Sequence, residues 1–413
     1  MVREKFDKVL SSVAGRHWIV ILAMVKAAAG GMLAVGLPVK LDRLEWSDWD
    51  LGFFAAVCSA TYTAVCIVYS LLLHRVPLQR MMALAAGIAG AAAVGLWVFQ
   101  GRLLLFAFGA AFSFGTAFFW PSLMAWIGES DDAHLVGDMA AFNCAWTIPS
   151  AAGMVLGGII ETAVGASALR GLSLLLVAGV LGLLMLAVPF AHIRGRGAFP
   201  ATVASPPTTP VLPRRFLVSG WLAAVLVTLA VAVPGAVFVK LNRELGYFPR
   251  DFGIFLGLQG GAQAFVFLAL GVLQGWRYRR WPLLAPLLLS GAGSVLLACP
   301  FGGGAFGWHT IALGFILLGA GMGLGYGTGF YYTVQAGRGR RRYVGFFEAL
   351  VSLQHVAGGA LGGWLAHAFH RRVPYAAVAV LAGLGFLAQG AFLAGVAKPA
   401  EPGDGGAADA ASL

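Results

Sequence analysis

Asp50-Leu-Gly-Phe-Phe54 begins one apolar stretch of this sequence, and Asp251-Phe-Gly-Ile-Phe255 begins another, 201 residues later. A second pair of segments, Gly153-Met-Val-Leu-Gly157-Gly158 and Gly358-Gly-Ala-Leu-Gly362-Gly363, repeats at an offset of 205 residues. Because the paired segments occur in the same order along the chain, we interpret them as an internal repeat. The repeat predicts two halves of similar structure.

The composition places both halves in a membrane. Of the 413 residues, 59% are apolar and only 11% are charged, whereas a soluble domain has about 45–50% apolar and about 25% charged residues. Soluble globular, fibrous, disordered and disulfide-stapled proteins are thereby excluded. A membrane span needs about 20 apolar residues, and the sequence contains twelve such runs, at 17–40, 50–73, 81–99, 102–126, 139–162, 171–191, 217–240, 252–275, 281–300, 309–333, 344–368 and 373–396.

The basic residues predict the orientation of these spans. Of the 28 Lys and Arg, 18 lie in the N-terminal segment, in the loops after even-numbered spans or in the C-terminal tail, nine lie on the opposite side, and Lys26 lies within a span. Since cytoplasmic loops carry the excess of Lys and Arg, we expect both termini in the cytoplasm and the protein in the inner, cytoplasmic membrane of the cell. Topology thus explains the net charge of +11, and we expect no nucleic-acid partner.

Two segments do not fit a membrane span. Residues 192–216 contain five prolines with Ser and Thr between them, a composition typical of linkers. We therefore expect an N-terminal six-helix unit at 1–191, a cytoplasmic linker at 192–216, a C-terminal six-helix unit at 217–396 and a disordered tail at 397–413.

The layout of six plus six spans, the Pro-rich central segment, the Gly-rich fifth and eleventh spans and the run from Gly109 to Pro121 together resemble the major facilitator superfamily. The resemblance implies an all-α membrane protein with twelve helices in two pseudo-symmetric bundles. The superfamily's loop signature is degraded here to Ser70-Leu-Leu-Leu-His74-Arg75-Val-Pro77-Leu-Gln79-Arg80, and its counterpart keeps only the basic end at Arg277 to Arg280. On this resemblance we assign Arg75, Arg80 and Arg277 to gating loops.

Polar side chains are distributed unevenly among the spans. The third, sixth, ninth and twelfth spans consist almost entirely of Ala, Leu, Gly and Val, whereas most of the amides and tyrosines lie in the second, fifth, eighth, tenth and eleventh spans. Because an intramembrane polar group is costly unless it faces protein or water, the polar spans are predicted to line a central cavity and every third span to face lipid. The repeated glycines are predicted to permit close helix contact, and Asp50 and Asp251 to cap helix N-termini.

Lys26 lies about ten residues, or roughly 15 Å, into the first span. A charge at this depth costs a few kcal/mol, so a compensating function or partner is expected. Lys26 could attract an anionic substrate or exchange protons. It could also form a structural pair with a carboxylate, or the span boundary could be misplaced.

Glu348 and His355 share one face of the eleventh span and are candidates for proton coupling. Glu348 could alternatively pair with the Arg338 to Arg342 cluster, and His355 could be a core histidine. Amides, hydroxyls and aromatic rings suit hydroxyl-bearing or amphipathic solutes, although they could equally join helices by hydrogen bonds. With Lys26, the predicted substrate-binding residues are Asn143, Trp146, Thr147, Gln259, Gln263, Thr328, Tyr331, Tyr332 and Gln354.

The sequence lacks the zinc-protease, nucleophile-elbow and Walker motifs, so we expect neither an enzyme nor a cofactor or metal. The expected function is secondary active transport of a small organic solute, anionic or amphipathic, by alternating access coupled to protons. The expected form is a monomer in the lipid bilayer. Three alternatives stay open: a lipid or lysolipid translocase, a drug efflux pump and a non-transporting sensor.

Overall fold

The computed structural model describes the backbone of residues 2–72, 78–127, 135–164, 172, 174, 176–182, 214–299, 304–336 and 340–394. It describes the side chains of these residues except 2–20, 22, 70–72, 78–82, 121–127, 135, 138, 164, 274 and 340–342. The predicted tail, most of the linker and Arg75 lie outside this set, and so does the side chain of Arg80.

The described chain is helical and contains no strand. The helices are α1 (Val2–Arg43), α2 (Asp48–Leu72), α3 (Leu78–Val98), α4 (Arg102–Ile127), α5 (Leu135–Val164), α6 (176–182), α7 (Arg214–Glu244), α8 (Pro249–Val272), α9 (Trp281–Ala298), α10 (Ala305–Gln335), α11 (Arg340–Ala368) and α12 (Val373–Leu393). A 3₁₀ turn, Gln274–Trp276, follows α8. The order of helices agrees with the predicted spans, and α1 begins much earlier than residue 17.

Ten of the described helices are long and apolar enough to cross a membrane, and α3 contains a shorter apolar segment, Ala83–Val98. The chain is therefore a multi-pass membrane protein. The apolar segments of α7 and α10 are each 72% buried and that of α12 only 22%, but that of α5, which was predicted to line the cavity, is also only 28% buried. The ninth span, α9, is 44% buried and packs against α7, α10 and α12, so the predicted orientation of every third span toward lipid stays a prediction.

The two carboxylates that begin the repeated segments cap α2 and α8. Asp50 accepts hydrogen bonds from the backbone N–H and the hydroxyl of Ser47, at 3.1 and 2.8 Å. Asp251 accepts one from the backbone N–H of Phe248, at 2.9 Å. The predicted capping role is confirmed for both residues, and the caps fix where the two helices begin.

Some of the repeated glycines form contacts between the two halves, whereas others, such as Gly153 against Ala28 and Gly358 against Ala232, pack within one half. A methyl carbon added at Gly158 on α5 would lie 3.0 Å from the Cα atom of Gly253 on α8. A methyl carbon added at Gly363 on α11 would lie 2.8 Å from the Cα atom of Gly52 on α2. The two crossings therefore use repeat-equivalent glycines, and no larger residue fits at either. These helix pairs, α2 with α11 and α5 with α8, are the most extensive in the described structure.

Candidate functional site

Lys26 lies inside the helix bundle rather than at its edge. Its side chain is 4% exposed, and its Nζ atom lies 4.8 Å from the ring centroid of Phe119 and 5.0 Å from that of Trp120, both on α4. No described residue forms a hydrogen bond or an ion pair with Lys26. The two rings stabilise an ammonium by about 2 kcal/mol each when desolvated, whereas burying an ammonium costs several kcal/mol. An anion entering this site would meet a buried cation without a competing carboxylate among the described residues.

A chain of aromatic rings connects the Lys26 site in the first half to the second half of the protein. The ring centroids of Trp120 and Trp146 are 6.2 Å apart. Trp146 on α5 in turn lies 6.2 Å from Phe267 on α8 and 6.5 Å from Tyr326 on α10. We call Phe119, Trp120, Trp146, Phe267 and Tyr326 the ring cluster. These ring contacts cross the boundary between the halves, so they must change whenever the halves move apart.

The carboxylate of Glu348 lies at the far end of the ring cluster. The Tyr326 hydroxyl donates to its Oε1 atom at 2.8 Å, and the Tyr62 hydroxyl of α2 donates to its Oε2 atom at 3.3 Å. Glu348 is 7% exposed and has no ion-pair partner among the described residues; the side chains of the Arg338 to Arg342 cluster lie outside them. One buried carboxylate thus joins tyrosines from both halves.

A second polar contact lies one turn further along the same pair of helices. The Thr63 hydroxyl donates to Ser352 Oγ at 2.9 Å, and the Ser352 hydroxyl lies 3.3 Å from the carbonyl oxygen of Ser59. His355 and Gln354 follow on α11 and are partly buried. The seam between α2 and α11 is therefore polar through its middle, around Glu348.

The amides of α8 are buried without complete hydrogen bonding. Gln259 and Gln263 are 7% and 6% exposed. The Oε1 atom of Gln259 and the Nε2 atom of Gln263 are buried and make no hydrogen bond with any described residue. Leaving a buried polar group unpaired costs about 1–3 kcal/mol. These two side chains are therefore the predicted amides best placed to receive a ligand.

Other predicted residues are satisfied by their own helices. The Thr147 hydroxyl donates to the carbonyl of Asn143 at 2.6 Å, and the Asn143 side-chain oxygen accepts from the Trp146 indole N–H at 3.3 Å. The Thr328 hydroxyl donates to the carbonyl of Leu324 at 2.8 Å and is fully buried. Trp146 belongs to the ring cluster, and Asn143 lines a cavity between α5, α8 and α10.

Tyr331 and Tyr332 lie apart from Lys26, at the end of α10. The Tyr332 hydroxyl accepts the backbone N–H of Tyr278 at 3.1 Å, and both tyrosine rings contact Trp276. The guanidinium of Arg277 lies 5.9 Å from the ring centroid of Tyr331. Tyr331 also lines a cavity between α5, α8 and α10, with Met139, Asn143, Phe267 and Leu270. These residues occupy the end of the bundle that the sequence predicts to be cytoplasmic.

Ion pairs across the two halves, at the opposite end of the bundle, were not predicted from the sequence. Asp42 on α1 lies 3.8 Å from Lys240 and 3.2 Å from Arg243, both on α7. Arg371 lies 3.2 Å from Asp48 on α2, across the halves, and 2.7 Å from Glu244 on α7, within the second half. We call these residues the outer ion pairs.

A second repeat in the sequence could have revealed the outer ion pairs. Val39-Lys-Leu-Asp-Arg43 recurs at an offset of 200 as Val239-Lys-Leu-Asn-Arg243. In the first copy, the lysine donates to carbonyl oxygens at the end of α3, including Trp97 at 2.9 Å and Phe99 at 2.8 Å. The fourth position of the repeat is Asp42 in the first copy and Asn242 in the second. The carboxylate of Asp42 can therefore attract the basic residues Lys240 and Arg243 of the second copy.

Neither the family models nor the curated proteins match this sequence. Among solved structures, the chain matches the nucleoside transporter NupG with a TM-score of 0.67 and 11% identity, over 91% of this chain and 98% of that one. It also matches a bacterial homologue of the human lysosomal transporter Spinster, solved in an inward-facing, unoccupied conformation, with a TM-score of 0.66 and 15% identity, over 95% and 99%. At these identities the likeness establishes the fold, which this chain shares with transporters over nearly its whole length.

Proposed function

We propose that this chain, which has the major facilitator fold, is a secondary active transporter of a small organic anion and works by alternating access. The observation that carries the proposal is Lys26, a buried cation between two aromatic rings with no carboxylate partner among the described residues. A protein that only needed to fold would be more stable with an apolar residue at this position. The missing counter-charge is the one that an anionic solute would bring.

Proton coupling is assigned to Glu348, with His355 as a second candidate on the same helix face. Glu348 accepts a hydrogen bond from one tyrosine of each half, so a change in its protonation alters a contact that joins the halves. When Glu348 is ionised it accepts from both hydroxyls, and when protonated it must donate one hydrogen bond instead. This exchange couples the charge on Glu348 to the contact between α2 and α11.

Solute counterflow in proteoliposomes tests the proposed function. Vesicles loaded with an unlabelled anion and placed in a trace of the same labelled anion should accumulate the label transiently, and protein-free vesicles should not. The panel should include small carboxylates, neutral nucleosides, a lysolipid and a cationic drug. Counterflow of the lysolipid alone would identify a lipid translocase and that of the cation alone a drug pump. Ligand binding without counterflow of any bound compound would identify a sensor; each result would contradict the proposal.

The outer ion pairs are expected to hold one end of the transporter closed. Asp42→Asn removes the charge that pairs with Lys240, which is 7% exposed, and with Arg243. We expect the ratio of open to closed molecules at this end to rise roughly tenfold, the equivalent of about 1.4 kcal/mol. Spin labels on the exposed residues Glu45 and Phe248 of a cysteine-free background would report longer distances in electron–electron resonance.

Asp50→Asn is the matched control for this measurement. Asp50 pairs with Arg102 at 3.2 Å, and both residues belong to the first half of the chain. Removing this charge breaks an ion pair without affecting a contact between the halves. The same distance distribution in both variants would show that the outer ion pairs do not set the conformation.

A further inference from the structure

The ring cluster and the unpaired amides of α8 indicate chemical features of the bound solute beyond its negative charge. Gln259, Gln263 and Phe267 follow one another at four-residue intervals, so they share one face of α8. The ring of Phe267 contacts Trp146 at 6.2 Å, Trp146 contacts Trp120 at 6.2 Å, and the Trp120 ring lies over the Lys26 ammonium. The unpaired amides therefore lie one turn from the rings that lead to Lys26.

Each element of this arrangement selects a chemical group. A buried ammonium without a described partner binds a carboxylate. Two neighbouring indoles present flat apolar faces, which favour a planar conjugated ring over a puckered one. The unpaired oxygen of Gln259 accepts a hydrogen bond and the unpaired nitrogen of Gln263 donates one. A donor next to an acceptor is the complement of an amide edge, –CO–NH–.

We propose that the site takes a flat, conjugated carboxylate that also carries an amide-type edge. The carboxylate pairs with Lys26, and the amide-type edge forms hydrogen bonds with Gln259 and Gln263. The ring stacks on the indole of Trp120 and meets the indole of Trp146, which is tilted by 58° to that of Trp120, edge to face. The inference rests on the proposed function for the negative charge at Lys26. The shape of the ring and the amide edge come from separate contacts.

Four small compounds separate these features. Orotate has the charge, the flat ring and the amide edge; dihydroorotate lacks only the conjugation that flattens the ring. Benzoate lacks only the edge, and uracil lacks only the charge. Titration calorimetry on the protein in lipid nanodiscs should give orotate the tightest binding. Dihydroorotate should bind roughly three- to tenfold more weakly, benzoate roughly tenfold more weakly and uracil roughly 100-fold more weakly.

Variants connect each difference to a side chain. Gln263→Leu should remove most of the preference for orotate over benzoate and leave the affinity for benzoate unchanged. Trp120→Leu should remove the preference for orotate over dihydroorotate. Gln100→Leu, in the exposed turn between α3 and α4, is the control and should change neither preference. An unchanged thermal unfolding temperature shows that each variant is folded.

The outcomes distinguish this inference from the proposed function. Equal affinities for orotate and dihydroorotate, or for orotate and benzoate, overturn the proposed substrate class but leave the proposal of an anion transporter in place. The same conclusion follows if orotate does not bind while another carboxylate shows counterflow. Equal affinities for orotate and uracil overturn both proposals. If orotate binds in the predicted order but shows no counterflow, transport is wrong and the substrate class stands.

Discussion

Replacing Lys26 with glutamine is expected to reduce transport of the anionic solute roughly 100-fold, since a hydrogen bond to a charged group contributes about 1.5–3 kcal/mol. The same change should raise the thermal unfolding temperature. Lys26 is buried beside two rings without a described carboxylate, and a charge within the membrane costs about 3 kcal/mol. Counterflow and scanning fluorimetry on the same preparation measure both effects. Opposite changes in activity and stability would identify a site maintained for function at the expense of stability.

Lys26→Arg is the matched control, because it keeps the charge and changes only its shape. Arginine should keep measurable transport with altered affinity, as its planar fork forms bidentate hydrogen bonds with carboxylates. If glutamine lowers both activity and the unfolding temperature, Lys26 is a structural residue. If glutamine changes neither, the anion does not bind at Lys26.

Replacing Glu348 with glutamine is expected to abolish accumulation driven by a pH gradient and to leave counterflow intact. A glutamine can still accept a hydrogen bond from Tyr326, which lies 2.8 Å away, but it cannot carry a proton between the two sides. With one coupled proton, a gradient of one pH unit supports about tenfold accumulation. The accumulation ratio of the variant should fall to about one. Vesicles with an imposed pH gradient, compared with vesicles at equal pH, provide the measurement.

Two variants show whether the effect belongs to the carboxylate of Glu348. Tyr62→Phe removes one of the two hydroxyls that donate to Glu348 but keeps the carboxylate, so accumulation should decrease without disappearing. Asp50→Asn removes a carboxylate at the opposite end of the bundle, where it pairs with Arg102 of the same half, and should leave accumulation at the wild-type ratio. If Glu348→Gln accumulates the solute at the wild-type ratio, another residue carries the coupled proton, and His355 is the first candidate.

The sequence predicted the buried lysine but not its surroundings. Lys26 is recognisable because a charge within an apolar span is costly wherever that span lies. The rings of Phe119 and Trp120 belong to α4, almost 100 residues away, and nothing in their spacing indicates which helix they face. The same reason explains why Tyr62 and Tyr326 were missed as partners of Glu348. Tyr331 and Tyr332, in contrast, were assigned to the cavity by their position on one helix face, and the structure shows the ring of Tyr332 packed against Trp276 and Tyr278.

Helix order, membrane location and the repeated glycines follow from the sequence, because apolar runs, caps and small residues act within single helices or at equivalent positions of the two halves. The fold expected from these patterns is the one that the solved transporters share. Only the tertiary structure decides that Gly158 meets Gly253, that Asp42 meets Lys240, and that the amides of Gln259 and Gln263 stay unpaired. The physical reason is that a contact between helices depends on their rotation and depth against each other, which many packed residues fix together and no single segment encodes.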